Sequence, residues 1–235
     1  NNNGNTGFTL AIKKQSIFVK YGPTFHLKIA DIAIGENHLG RRILMRKRNG
    51  LILIPVKISS RIKKIFAGGN HSFAIDENGM IFTWGQNAEG QCSIESPNPI
   101  ITPMKLEFFK NLIRVNQISA GLYHMLVLLE NGKVYSFSSS KYRQLGIDVS
   151  KENRKSPVKI NLNNCNIIAT GEHHSMAVND ENKVYIWGFG ETYTLRNQSG
   201  NDKLLPFKLK YEEFGEIIEI DGGSQYSVIL SSFCS

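Results

Sequence analysis

A chain of 235 residues and 26.4 kDa, with 41% hydrophobic residues, has the material for one large core or two ordinary ones, which points to a globular protein. Its formal net charge of +8 favours an anionic partner, whether nucleic acid, acidic protein surface or lipid headgroup, although Lys-, Asn- and Ile-rich usage also arises from codon bias. Three widely spaced cysteines, Cys92, Cys165 and Cys234, argue against a disulfide framework or a zinc site and suit a reducing compartment. No apolar run approaches the roughly 20 residues needed to cross a bilayer, and NNNGNTG lacks the features of a signal peptide, so the chain reads as nuclear or cytoplasmic without a membrane partner.

Residues 1–7 read as a polar, Asn-rich tail or loop, and the remainder of 1–235 as a single domain of repeats. The first copy, Phe8 to Gly22, is strand, turn and strand, followed at once by Pro23. The second, Ile32 to His38, jumps to Leu39-Gly40, a pair similar to Leu145-Gly146 at the end of a later unit, so its hairpin is expected to be skipped. Both copies are short by roughly 20 residues against the later ones, which suggests residues missing near 22/23 and 38/39.

The fullest copy is Ile65 to Ile94. Gly68 and Gly69 predict a tight bend, His71 to Ile75 a strand, Asp76-Glu77-Asn78-Gly79 a hairpin turn and Met80 to Trp84 the returning strand, broken by Gly85. Asn-Gly suggests a two-residue turn with positive φ at both positions. AGLYHMLVLLENGKVYSFS, ending at Ser138, and TGEHHSMAVNDENKVYIWG, ending at Gly188, repeat the pattern. Phe82, Tyr135 and Tyr185 share one column and Trp84, Phe137 and Trp187 another two residues on, opposite Ile81, Val134 and Val184, so the strand is apolar on both faces and is expected to be sandwiched.

A further string recurs as Pro55-Val56-Lys57-Ile58, Pro103-Met104-Lys105-Leu106, Pro157-Val158-Lys159-Ile160 and Pro206-Phe207-Lys208-Leu209, where proline suits an edge strand or the first residue of one. Another short strand precedes each bend, at Ile62 to Phe66, Val115 to Ser119, Cys165 to Ala169 and Ile217 to Ile220. Three to four short strands per period is the content of a propeller blade. The fold class is therefore all-β, a β-propeller, with IIEIDGGSQYSVIL as an opening half-blade.

Histidines at 38, 71, 124 and 174 lie a blade apart, and no Cys, Asp or Glu recurs with them, so they read as framework residues bonded to backbone beside a glycine bend. Trp84 and Trp187 read as blade-to-blade packing. The acidic pairs Asp76-Glu77, Asp180-Glu181 and Glu212-Glu213 read as solvated turn charges, and no nucleophile motif or phosphate loop indicates hydrolytic or transfer chemistry. The densest charge, Arg41, Arg42, Arg46, Lys47 and Arg48, sits in an expected inter-strand loop. It is either a solvated loop or a surface for DNA phosphates, an acidic partner or nuclear import.

Gly-x-His-Ser, hairpin, Trp-Gly and Asn87-x-x-Gly90-Gln91 together resemble the repeats of the regulator of chromosome condensation family. The unit at 118–147 departs at Phe137-Ser138 and Arg143, and the unit at 168–197 at Thr194. The resemblance implies a seven-bladed propeller, of which about five to six units are recognisable. It further implies exchange activity toward a small GTPase of Ran type, association with chromatin through histones or DNA, and no cofactor. The alternative is a scaffold of the same fold without exchange activity. Ultraviolet-B reception, which in similar propellers needs clustered tryptophans, is disfavoured by two tryptophans in different units. Function is expected in what the copies do not share, chiefly the loops at 39–54, 93–102, 146–156 and 195–205.

Overall fold

The computed structural model describes residues 58–148, 153–190, 195, 200–210 and 215–232, together with six strands that precede them. These are β1 (Phe8–Ile12), β2 (Gln15–Val19), β3 (Ile32–Ile34), β4 (Leu39–Arg41), β5 (Leu44–Arg46) and β6 (Ile54–Val56). Blade III is β7 (Ile62–Ala67), β8 (His71–Asp76), β9 (Ile81–Gly85) and β10 (Ile100–Lys105). Blade IV is β11 (Val115–Ala120), β12 (His124–Leu129), β13 (Val134–Ser138) and β14 (Arg154–Lys159). Blade V is β15 (Cys165–Thr170), β16 (His174–Asn179), β17 (Val184–Gly188) and β18 (Lys203–Lys208), and β19 (Ile217–Gly222) with β20 (Ser227–Ser231) opens blade VI. Every sheet is an antiparallel meander in chain order, so each repeat is one blade.

The turn of blade III differs in detail from the two-residue form. Gly79 has φ +83° and Asn78 is not left-handed; Gly79 N–H donates to the Asp76 carbonyl at 3.0 Å. The buried Asp76 carboxylate accepts the N–H groups of Asn78 and Met80, both at 2.9 Å. Asp76 is therefore no solvated charge but the cap that closes the turn, leaving one residue, a glycine, to take the left-handed conformation. Asp180 and Glu181 are exposed as expected, and Glu212-Glu213 lies outside the described residues.

Blade II corrects another expectation. Leu39–Arg41 does not end a unit; it pairs with Ile32–Ile34, Leu39 opposite Ile34, and returns through Leu44–Arg46 to Ile54–Val56. The blade keeps four strands by shortening each to three residues, which a hairpin tolerates because its pairing is local. The 22/23 junction and His38 lie outside the described residues.

The second strands β8, β12 and β16 are buried along their whole length, as apolar patterning on both faces requires. Each outer strand is an edge, carrying Pro103, Pro157 or Pro206 and the exposed Lys105, Lys159 or Lys208. A missing N–H and a solvated charge blunt an edge that would otherwise template aggregation. The core lies between blades. One cluster joins Phe73, Ile75 and Ile81 of blade III to Met125, Val127 and Phe137 of blade IV, and another joins Leu126, Leu128 and Leu145 of blade IV to Ile168, Ala177 and Trp187 of blade V. Each strand hairpin thus has one end at the short turns and the other at the long loops, so the molecule presents a turn face and a loop face.

Candidate partner-binding face

The repeated motif residues meet one another across the blade seams. His124 Nε2 lies 2.9 Å from Ser175 Oγ, and that hydroxyl donates to the Gln144 carbonyl at 2.8 Å. A serine has one proton to give, so His124 must donate through Nε2. Trp187 Nε1 donates to the same carbonyl at 2.9 Å, its side chain fully buried against Gly146. His-Ser, Gln-x-Gly and Trp-Gly are thus three parts of one lock between blades IV and V. For His71, His124 and His174 the framework reading holds, each Nε2 also meeting a side chain of the next blade, and His174 continues the series with Ser227 at 3.0 Å.

Between blades III and IV the lock is rewritten. His71 Nε2 faces Met125 Sδ at 3.0 Å, and Phe137 stands where Trp187 does, edge-on to Phe73 with centroids 6.2 Å apart. The serine hydroxyl and the indole N–H are lost together here, so neither is left buried without the other's shared acceptor, which is why the departure at Phe137 is tolerated. The other departures keep the backbone they inherit: Ser138 has φ +86° and Arg143 φ +62°, matching Gly85 at +112° and Gly90 at +82°. Ser138 meets the cost with its hydroxyl, which lies 2.6 Å from the Tyr123 carbonyl. Arg143 has no such compensation described, so Arg143→Gly is expected to leave stability unchanged or raise it by up to about 1 kcal/mol. Gly90→Ala, whose Cβ would come within 2.9 Å of Lys155, should cost about 1–2 kcal/mol in urea denaturation.

With the shared residues spent on seams, the loop face carries what differs. Tyr123 and His173 occupy the position before the column histidine in blades IV and V, Tyr142 comes from the loop after β13, and Phe189 follows Gly188. The structure brings these four half-buried rings together: Tyr142 to His173 at 4.3 Å, Tyr142 to Phe189 at 5.3 Å, and Tyr123 stacked on His173 at 6.3 Å. Lys141 Nζ lies 5.4 Å from the Tyr142 ring centre. Burial lowers the His173 pKa and so favours its neutral ring, and the cluster presents packed aromatic surface beside the Lys141 charge. Rigid rings with a polar tip are what protein interfaces use as anchors. Sequence reading missed the cluster because its members come from four different loops. The available signal was their position in columns where the copies disagree.

Of the basic run, Arg41 ends β4 and Arg46 ends β5, neighbouring strands of one hairpin rather than a loop; Arg42, Lys47 and Arg48 lie outside the described residues. Cys92 and Cys165 are buried thiols, which burial pushes up to about 12 and about 11, out of reach of nucleophilic chemistry; Cys234 is outside the described residues. Among the described residues no helix is long and apolar enough to cross a membrane, and no three acidic, histidine or cysteine side chains converge on a metal position.

Stacked four-stranded blades locked across their seams define a β-propeller, with the residues that differ between copies displaced to the loops. The model of the regulator of chromosome condensation repeat matches residues 62–91 and 115–144, and a second model of that repeat matches 78–128 and 181–230. The chain belongs to this family. It is 33% identical over 213 residues to Protein pim1 of Schizosaccharomyces pombe, covering 81% of the chain and 39% of that protein. It is 32% identical over 215 residues to the guanine nucleotide exchange factor SRM1 of Saccharomyces cerevisiae, covering 82% and 44%. The crystal structure of Prp20p from Saccharomyces cerevisiae, a protein described with its binding to Gsp1p and histones, superposes with a TM-score of 0.80 at 28% identity over 94% of this chain and 59% of Prp20p. The chain therefore spans less than half the length of these curated relatives.

Proposed function

We propose that this chain is the propeller of a guanine nucleotide exchange factor acting on a Ran-type GTPase, and that the loop face around Tyr123, Tyr142, His173 and Phe189 contacts the GTPase. The observation that carries the reading is the 32% identity to SRM1, named as an exchange factor, over most of the chain. The aromatic cluster supports it by supplying a preformed contact surface beside the seam. Exchange by this route needs no covalent chemistry. A factor that binds the nucleotide-free GTPase more tightly than the loaded form weakens nucleotide binding by the same ratio.

The basic run Arg41, Arg42, Arg46, Lys47 and Arg48 belongs to the same proposal as a surface for histones or DNA in the nucleus, in line with the histone binding described for Prp20p. Release of a fluorescent guanine nucleotide from Ran tests the central claim. Micromolar protein should accelerate release, and Tyr142→Ala with His173→Ala should slow the accelerated rate by about tenfold or more. No acceleration leaves the scaffold of the same fold without exchange activity. DNA affinity that ignores salt would remove the basic run from the account.

A further inference from the structure

The seam between blades III and IV differs from its neighbour on the turn face. Blades IV and V are joined by five residues, 160–164, between β14 and β15, whereas 106–114 join blades III and IV. The extra residues form a 3-10 turn at Glu107–Phe109 that drives the buried Phe109 between the blades, its ring 5.7 Å from Tyr135. Burying Phe109 explains the insertion, but it does not explain what stands outside it. Phe108 remains 44% exposed, Leu112 40% and Ile113 50%, with Met104 of β10 at 44%. Phe108 is held, not loose: its ring is 5.0 Å from Phe109 and 5.9 Å from the half-buried Tyr135. Four exposed large apolar side chains thus fall within ten residues of chain at this seam, a density of apolar surface of the kind that contact sites use.

The charge around this patch has one sign in excess. Lys159 lies directly opposite Tyr135 across β13 and β14, and Lys133 lies two residues before Tyr135, so both flank the ring that supports Phe108. Lys105 and Lys110 bracket Phe108 in sequence, and all four lysines are exposed. Nearby carboxylates include Glu107, which pairs with Lys110 at 3.4 Å, Glu130, and Glu77, which pairs with Arg61 at 3.1 Å and whose carbonyl accepts from Arg114 beside Ile113. We propose that this turn-face patch is a docking site for an acidic protein segment bearing apolar anchors. Phe108, Leu112 and Ile113 take its hydrophobic side chains, and Lys105, Lys133 and Lys159 take its carboxylates. Phe108 lies at the end of its blade opposite the aromatic cluster of the loop face, so the chain can hold this segment and a loop-face partner at once. Nucleic acid fits the charge but not the anchors, because stacking needs an open ring face and Leu112 and Ile113 offer none.

Three fluorescein-labelled 14-residue peptides test this by fluorescence anisotropy on the full chain at about 0.15 M salt: Asp/Glu with three Leu or Phe, the same acids with Ala at those positions, and the apolar residues with Lys replacing the acids. The first should bind and the other two should bind at least about tenfold more weakly. Phe108→Ala with Leu112→Ser, and separately Lys105→Glu with Lys159→Glu, should each weaken the first peptide by about tenfold or more, whereas Tyr142→Ala on the loop face should leave it unchanged. All substituted side chains of the patch are exposed, and matching urea midpoints confirm that the variants fold. Equal binding of the Ala peptide, indifference to either pair of substitutions, or displacement of the peptide by duplex DNA through Phe108-independent binding would each overturn the proposal.

Discussion

Truncating Trp187 to alanine is expected to lower stability by about 3–5 kcal/mol, a large part of what a domain of this size holds in reserve. The indole is fully buried between blades IV and V, touches Gly146, and donates to the Gln144 carbonyl. Its removal opens a cavity in a seam and takes one of two donors from a buried acceptor. Trp84, in the same column of blade III, is only half-buried, and its truncation should cost less. Urea midpoints of the two variants make the comparison, and an equal or smaller shift for Trp187→Ala would remove the lock from the account.

A sharper form uses the seam between blades III and IV as a template. Trp187→Phe keeps the ring but loses the donor, at about 1–2 kcal/mol. Adding Ser175→Met reproduces the Met125 and Phe137 pairing beside His71. The double variant should therefore be more stable than the sum of the single losses, by about 0.5–2 kcal/mol of coupling. Strict additivity would mean that the two departures in blade IV are unrelated.

Mild acid should weaken the fold well before its carboxylates protonate. Burial, with smaller contributions from His174, His173 and His71, lowers the His124 pKa from 6.5 to about 3, and burial with His173 lowers that of His174 to about 4. An unfolded chain protonates both at the ordinary value while the folded chain does not. Their contribution is therefore complete above pH 6.5, and it is lost as pH falls from there toward 4 and 3. Each group gives a slope of up to about 1.4 kcal/mol per pH unit, so the pair gives up to about 2.7 between pH 5.5 and 4.5. Urea midpoints across that range read the slope directly, and His124→Gln should reduce it by about half. A flat profile above pH 4.5 would show that these rings are not held neutral.

The two expectations join at the same residues. His124 reaches Ser175, Ser175 reaches Gln144, and Gln144 holds Trp187, so protonation of one ring and truncation of the other attack a single seam. Blades contact their neighbours in turn, and a break at one seam is expected to loosen both blades beside it.

Repetition made the architecture legible in the chain itself. From the third copy on, strands recur with turns between them at nearly constant intervals, and strand pairing within a blade is local, so periodic apolarity is enough to define the blade and its strand order. Repetition also misled where a copy was worn down: Leu39-Gly40 looked like the end of a unit, yet it pairs as a shortened second strand, because backbone pairing does not depend on which side chains remain. The same holds for Asp76, whose charge suggested solvent and whose geometry made it a buried cap.

What the linear order could not supply is which residues meet between blades. His124 and Ser175, or Tyr142 and His173, are separated by a hairpin or a loop, and their meeting depends on how one sheet stacks on the next. The sequence by itself determined an all-β propeller, its strand columns and its glycine-marked turns, since these rest on period and local backbone preference. Only the tertiary structure decided that the shared motif is a seam lock, that four unshared rings form one surface on the loop face, and that Phe108, Leu112 and Ile113 stand exposed among lysines on the other. Those features arise from side-chain packing across strands distant in the chain, and no local preference encodes that packing.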